Sequence, residues 1–466
     1  MKIEVETRSL KFVAEACVAD VRHGLVKSLV KNVCTDSRQT KPGDLFFAIK
    51  GEKFDGHDFI NEVAAKGAVA VVVPEKGKIP AQLPDCAVLV VKDTRAALGQ
   101  LAAAYRKEFD LPVIAVGGSN GKTTVKELMA SALRQGLATL WSEANFNNDI
   151  GVPLTLLRLE KSHQAAVLEV GTNHPGELAP LVKMIQPKYG VITNIGREHL
   201  EFFGDVAGVV QEEGWLAELL PVDGTLFING DDEWTEQIAK RVRAKIVRVG
   251  LGKKNNWRAR SIRLDKNGVT FRVDAPKAEF SGEYRINLLG RHQVTNALFA
   301  VSVSEELGLG RPAVRDGLAE CKPPRMRLQF WEAGGVRVLD DAYNANADST
   351  LAALETLRDL PLQGRRVAVL GDMAELGAHS EAAHAEVGRR AAELGIGQLF
   401  AVGKMAGVTA TAAREAGLTR VIEFADVEAA VKAVKSFLKA GDVVLLKASR
   451  ASRLERIAET LKSGKS

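Results

Sequence analysis

The sequence predicts an α/β protein of three domains, for three reasons. At 466 residues the chain is too long for one hydrophobic core and fits two to four domains. Short apolar runs alternate with stretches of helical period, the order that builds parallel sheets flanked by helices. Proline breaks at Asp110-Leu-Pro112 and Cys321-Lys-Pro-Pro-Arg325 divide the chain into units of 1–108, 109–321 and 322–466.

In the first unit, the turn signal Lys41-Pro-Gly-Asp44 leads into an apolar strand over 45–49. A helix is expected over 58–65, strands over 68–73 and 87–91, and a closing helix over 94–108. The second unit opens on the apolar run 113–116 and continues with strands at 165–170, 189–193 and 224–228, separated by helical stretches. From about 245 to 289 the period changes to two. Segments 255–264 and 269–275, joined by Asp265-Lys-Asn-Gly268, read as a small antiparallel sheet. Gly290-Arg-His-Gln-Val-Thr-Asn-Ala297 then opens a helix ending near Gly308. In the third unit, strands at 336–340, 366–370, 398–402 and 442–447 alternate with helices near 349–359, 380–394, 427–439 and 452–462. That order predicts a doubly wound, Rossmann-like domain.

The most informative stretch is Val113-Ile-Ala-Val-Gly-Gly-Ser-Asn-Gly-Lys-Thr-Thr124, followed by the helical Val125-Lys-Glu-Leu-Met. A buried strand, a glycine-rich turn and a helix make a phosphate-binding loop, whose backbone N–H groups and helix N-terminus face phosphate oxygens. Gly118, Ser119, Asn120, Gly121, Lys122, Thr123 and Thr124 would hold the nucleotide. Lys122 would reach the β- and γ-phosphates and the Thr123 hydroxyl would coordinate Mg²⁺. The first glycine of the general Gly-x4-Gly-Lys-Ser/Thr pattern is replaced by Val116. The alternative is a glycine-rich turn that holds no nucleotide. Two further residues stand just past strands, where ligands bind in open α/β sheets: Glu169 after Val167-Leu, and His199 in Thr193-Asn-Ile-Gly-Arg-Glu-His-Leu-Glu201. Both are candidate metal ligands, and each could instead be a satisfied structural residue.

Composition narrows the class. The net charge of +5 is small for this length, so nucleic-acid binding is not demanded and anionic small molecules suffice as ligands. No run of about 18 apolar residues is present, so no membrane insertion is expected. The segment Met1-Lys-Ile-Glu-Val-Glu lacks the pattern of a signal peptide. Cys17, Cys34, Cys86 and Cys321 lack metal-ligand spacing and read as reduced thiols, consistent with a cytoplasmic protein.

Several strings together resemble the Mur ligase family over nearly the full length. They are Asp36-Ser-Arg38 with Gly43-Asp-Leu-Phe46 and 51–57, the loop Gly118 to Thr124, Asn145-Phe-Asn-Asn-Asp-Ile-Gly-Val-Pro153, and Thr193 to Glu201. Gly290-Arg-His292 with Asn296, Asp340-Asp-Ala-Tyr-Asn-Ala-Asn346, Leu370-Gly-Asp-Met-Ala-Glu-Leu-Gly377 and Leu446-Lys-Ala-Ser-Arg450 complete the set. The resemblance implies an N-terminal UDP-binding domain, a central ATPase domain and a C-terminal Rossmann-like domain that closes over them. It implies an ATP- and Mg²⁺-dependent ligase that joins D-alanyl-D-alanine to UDP-N-acetylmuramoyl-tripeptide through an acyl phosphate, and a monomer is expected. Residue by residue, Ser37 and Arg38 match the UDP contact, and Asn145, Asn147 and Asn148 a loop facing the sugar-nucleotide. His292 and Asn296 match the pair at adenine, and Asp341 the residue near the ribose. Arg327 matches an arginine reaching the γ-phosphate. Tyr343, Asn344 and Asn346 match the cleft for the dipeptide, and Glu169 and His199 the second-metal ligands. The loop without its first glycine matches the shorter Gly-x-x-Gly-Lys-Thr form of these amide-forming ligases. Two relatives remain as alternatives: the sister ligase that adds the third peptide residue, and a folylpolyglutamate-synthetase-like ligase. A nucleotide-gated binding module without turnover is a third.

The sequence departs from the family at three places. Where most members carry a carbamylated lysine, about fourteen residues after the matched histidine, this chain has Glu213. A glutamate carries the same charge and two oxygens, so Glu213 is expected to take the place of the carbamate at the metal. The alternative is that Glu212 and Glu213 form a solvated helix face. Met326 stands where a glycine usually precedes the arginine, and Ala347 where proline is common.

Overall fold

A computed structural model describes residues 8–23, 28–51, 53–76, 86–361 and 363–463. The segment 1–6 and Glu52 of the 51–57 string lie outside the described residues. Packing divides the chain into two compact units, 1–115 with 137–172 and 177–189, and 116–136 with 173–176 and 190–466.

The first unit contains a five-stranded sheet in the order Asp20–His23, Ala87–Val91, Ala70–Pro74, Asp44–Phe47, Asn32–Cys34. The last four strands are parallel, and Asp20–His23 runs against Ala87–Val91. Ala87–Val91 is buried along its whole length, as its unbroken apolar sequence requires. The expected helix over 58–65 begins as a 3-10 turn, Gly56–Phe59, before Ile60–Ala65 becomes α-helical. Helix Thr94–Arg106 starts on Asp93, whose carboxylate accepts from Ala96 N at 2.7 Å. At its other end the buried Arg106 guanidinium donates to the carbonyls of Ile185, Phe109 and Leu111. Strand Ala165–Glu169 pairs in parallel with Thr139–Trp141, and Glu169 is its last residue.

In the second unit the phosphate-loop turn is followed by helix Lys122–Leu133. Strands Thr225–Asn229, Lys245–Gly250 and Trp257–Asp265 are neighbours in parallel, and Gly268–Asp274 and Gly282–Ile286 extend them antiparallel. The expected antiparallel strands are present, with Gly282–Ile286 as an addition, but they continue the parallel strands as one sheet instead of forming a separate small sheet. A six-stranded sheet follows in the order Gln329–Ala333, Val336–Asp341, Val443–Lys447, Arg366–Gly371, Gln398–Val402, Val421–Phe424. All its pairs are parallel except the first hairpin. Period-two alternation sends Leu339, Ala368 and Leu445 to one face, under helices Ala347–Asp359 and Ser380–Glu393. It sends Val338, Val367 and Val444 to the other, under Val427–Phe437 and Glu455–Ser463. Helices on both faces of a parallel sheet make this the doubly wound domain the sequence predicts. With the sheet of the first unit and the strands after the phosphate loop, the chain is a three-domain α/β protein. Among the described residues no helix is long and apolar enough to cross a membrane. The four cysteines are free thiols, and burial pushes Cys17 and Cys321 up to about 12.

Candidate active site

The phosphate loop is shaped by two glycines and by what packs against them. Gly118 has φ +104° and Gly121 φ +88°, the left-handed region that side chains avoid. Space forbids a side chain as well: a Cβ on Gly118 would lie 2.5 Å from Thr193 Oγ1, and on Gly121 2.8 Å from Asn296 Oδ1. Val116 is fully buried within strand Val113–Gly117, so it belongs to the sheet rather than the turn. The turn is braced by the segment after strand Tyr189–Ile192. Ser119 N donates to Asn194 O at 2.8 Å, Asn120 N to Asn194 Oδ1 at 2.9 Å, and Gly196 N to Ser119 Oγ at 2.8 Å. Helix Lys122–Leu133 has Gly121 at its N-cap and no side-chain cap, which leaves its first N–H groups available to an anion.

Lys122 lies folded over the loop. Its ammonium donates to Gly118 O and to Ser119 O (3.2 Å), and stands 3.4 Å from Glu198 Oε2. Buried Glu198 is a site residue that motif reasoning passes over, although it immediately precedes His199. Thr124 is buried, and the Thr123 hydroxyl is buried without a hydrogen-bond partner, as a group reserved for a ligand would be.

Glu213 sits on helix Val206–Glu218 and is fully buried, with Glu212 only 4 % exposed. The solvated-face alternative is therefore excluded. Glu213 Oε2 accepts from Gly118 N at 2.7 Å, and Oε1 is buried without a partner. Burial pushes its carboxyl up to about 7, opposed by the Lys122 charge and reinforced by Glu198. Glu212 instead accepts from Gly176 N at 2.9 Å.

His199 has a left-handed backbone (φ +49°). Its Nδ1 is in close contact with Glu375 Oε2, and its Nε2 is 4.0 Å from Glu198 Oε2. Glu375 belongs to the 370–377 string, and sequence alone does not point to it, because no spacing rule joins it to a histidine 176 residues away.

The residues matched to nucleotide contacts are placed as follows. His292 precedes helix Gln293–Glu306, and burial lowers its imidazole to about 4, which keeps the ring neutral. Asn296 Nδ2 donates to Gln293 Oε1 at 2.8 Å while its Oδ1 faces Gly121. The Arg327 guanidinium stacks over Tyr343 at 4.4 Å from the ring centroid. Asp341 is held by Lys447, with Nζ 2.6 Å from Oδ2, and accepts from Leu328 N. Lys447 also donates to Asn344 O, so the 446–450 string supports the 340–346 string. Asn346 caps helix Ala347–Asp359 through reciprocal bonds with Ser349, and its Nδ2 donates to Asn120 Oδ1 at 3.0 Å. Two of the sequence departures find their physical place here. Met326 has φ +58°, the conformation a glycine adopts freely, and Ala347 is the first helical residue, where proline is favoured.

The remaining candidates lie in the first unit. Glu169, 2 % exposed, accepts from Asn147 Nδ2 at 2.9 Å and has Oε2 buried without a partner. Asn148 Oδ1 accepts from Gly151 N at 2.9 Å, starting helix Gly151–Leu156, and Asn145 is exposed. Ser37 is buried in a 3-10 turn, and exposed Arg38 forms a two-point ion pair with Asp36. Among the described residues no three His, Cys, Asp or Glu side chains are gathered as a metal cluster.

Comparisons with known proteins give the following likenesses. Residues 29–106 match the model of the Mur ligase family catalytic domain, 116–304 that of the Mur ligase middle domain, and 326–450 that of the Mur ligase glutamate ligase domain. The chain is 39% identical to the UDP-N-acetylmuramoyl-tripeptide–D-alanyl-D-alanine ligase of Escherichia coli, over 92% of this chain and 93% of that one. A crystal structure of MurF from Acinetobacter baumannii superposes with a TM-score of 0.89 at 33% identity, covering 98% and 99% of the two chains. MurF ligase from Thermotoga maritima in complex with ADP gives 0.80 at 27% identity, covering 93% and 97%.

Proposed function

The chain belongs to the Mur ligase family, and we propose that it joins D-alanyl-D-alanine to UDP-N-acetylmuramoyl-tripeptide with conversion of ATP to ADP and phosphate. The observation that carries this reading is the near-full-length likeness to ligases of that name, combined with a phosphate loop whose Lys122, glycines and bracing residues are all in place. The domain limits proposed are 1–108, 109–321 and 322–466.

In the proposed reaction the tripeptide carboxylate attacks the γ-phosphorus and ADP leaves. The dipeptide amine then attacks the acyl carbon, and phosphate departs with the bridging oxygen. Attack by an anion on a polyanion is repulsive, so the chain must supply positive charge. Lys122 would leave the carbonyls of Gly118 and Ser119 for phosphate oxygens, and the open N–H groups of helix Lys122–Leu133 add to it. Arg327, matched to the arginine reaching the γ-phosphate, would have to leave Tyr343 to do so.

The residues present fit Mg²⁺. Thr123 Oγ1, Glu169 Oε2 and Glu213 Oε1 are hard oxygen donors, each buried with no hydrogen-bond partner, and such atoms are costly unless a ligand satisfies them. Within the second unit Thr123 and Glu213, with His199, would hold the ion, Glu213 standing in place of the carbamate; Glu169 is proposed as a further ligand on the family resemblance alone. A bound Mg²⁺ would neutralise phosphate oxygens during transfer. His292 and Asn296 are proposed at the adenine, Asp341 near the ribose, Ser37 and Arg38 at the UDP, and Asn145, Asn147 and Asn148 at the sugar. Asn346 is tied up in capping, which leaves Tyr343 and Asn344 as the better candidates for the dipeptide.

The test is phosphate release measured with ATP, tripeptide and dipeptide, and with each omitted in turn. Release that needs all three is expected, and running both diaminopimelate- and lysine-containing tripeptides assigns the third residue. Equal rates with and without the dipeptide would sink the ligase reading.

A further inference from the structure

We infer that Glu375 is a positioning residue for His199, delivered by the C-terminal sheet to a metal site that the sheet itself does not contain. The inference rests on the metal-site reading above. Glu375 lies in the loop after strand Arg366–Gly371, and its Oε2 meets His199 Nδ1. A carboxylate at Nδ1 holds the proton there and leaves the Nε2 lone pair for a cation. On that side the ring faces Glu198, which in turn faces Lys122.

The contact is built rather than incidental. Glu201 N donates to Glu375 O at 3.0 Å, and His379 Nε2 lies 2.8 Å from Gly204 O. Gly377, with φ +51°, comes so near that a Cβ would lie 3.1 Å from Glu201 Cα. The same segment is fastened by Arg197, whose guanidinium binds Asp348 at 2.6 Å and Glu386 at 2.5 Å, and whose backbone N–H donates to Asp348 at 2.8 Å. The orientation of His199 is thereby made conditional on seating of the C-terminal segments against residues 194–204.

The test uses the full chain and Mn²⁺ as probe, with free Mn²⁺ read by electron paramagnetic resonance in the presence of ADP. Glu375→Ala should weaken Mn²⁺ binding about 10- to 100-fold, the usual effect of losing such a partner. Glu375→Gln, which keeps an oxygen acceptor, should recover most of it, and ADP binding in EDTA should be unchanged in both. Mn²⁺ binding by Glu375→Ala equal to that of the unaltered chain overturns the inference, as does loss of ADP binding in EDTA. His199→Ala separates the two levels. If it binds Mn²⁺ normally, the metal-site reading itself fails; if it loses Mn²⁺ and Glu375→Ala does not, only the positioning role fails.

Discussion

Replacing Glu213 by glutamine should stabilise its helix at high pH while removing activity. The Glu213 carboxyl titrates at about 7 in the folded protein against an ordinary 4.5, mainly because burial disfavours the charged form. For an acid whose folded pKa is raised, stability is complete below the unfolded pKa and is lost as pH rises through the folded one. Here the loss begins near pH 4.5 and is complete just above pH 7. At roughly 1.36 kcal/mol per pKa unit, the penalty is below about 1 kcal/mol at pH 5 and approaches ~3 kcal/mol at pH 8. Glutamine keeps the shape and an acceptor for Gly118 N, and it carries no charge at any pH. Its buried NH₂ adds a cost of roughly 1–3 kcal/mol that is the same at both pH values. The readout is therefore the change with pH: the variant should gain about 2–3 kcal/mol on the unaltered protein between pH 5 and pH 8. Hydrogen exchange across helix Val206–Glu218, in EDTA to exclude metal, measures it. A difference constant across that range would refute the placement of an ionisable, desolvated carboxyl at the loop. Phosphate release by the same variant should fall by about 10²-fold or more, as charge stabilisation is removed from the transfer step.

Two further outcomes follow from the departures noted in the sequence. Turnover should be unaffected when CO₂ is stripped from the buffer, since Glu213 needs no carbamylation; restoration of a lost activity by bicarbonate would contradict this. Met326→Gly should relieve left-handed strain of about 1–2 kcal/mol but lose a side chain only 7 % exposed. Burial of such a side chain is worth about 1.5–3 kcal/mol, and the added glycine entropy costs up to about 1 kcal/mol. Packing wins, and urea denaturation should show the variant less stable by about 1–2 kcal/mol; an unchanged or raised midpoint would mean strain dominates.

How much of this was legible in the sequence depends on the range of the interaction. The phosphate loop was readable because strand, glycines and helix are contiguous. Its Gly118 and Gly121 turn out to be required both by φ and by the nearness of Thr193 and Asn296. Counting from His199 located Glu213 but could not tell a buried carboxyl from a solvated one, since burial is decided by segments far away in the chain. Glu375 and Glu198 were invisible as partners for the same reason. Edge strand Gln329–Ala333, half-buried along most of its length, escapes sequence reading because it lacks a continuous apolar run, and Gly282–Ile286 lies inside the period-two stretch without being marked off within it. Met326 and Ala347 looked like unexplained deviations and acquire meaning only from the backbone, one in a left-handed conformation and the other opening a helix capped by Asn346.

The most direct test of the central claim follows the tripeptide's own oxygen. With both oxygens of the reacting carboxylate labelled with ¹⁸O, mass spectrometry of the released phosphate and of the peptide product reads the route. Transfer through an acyl phosphate requires one labelled oxygen in the phosphate and one in the new amide carbonyl, with one ADP formed per peptide bond. Phosphate that carries no label would show that the carboxylate never attacks the γ-phosphorus, and the proposed reaction would be wrong.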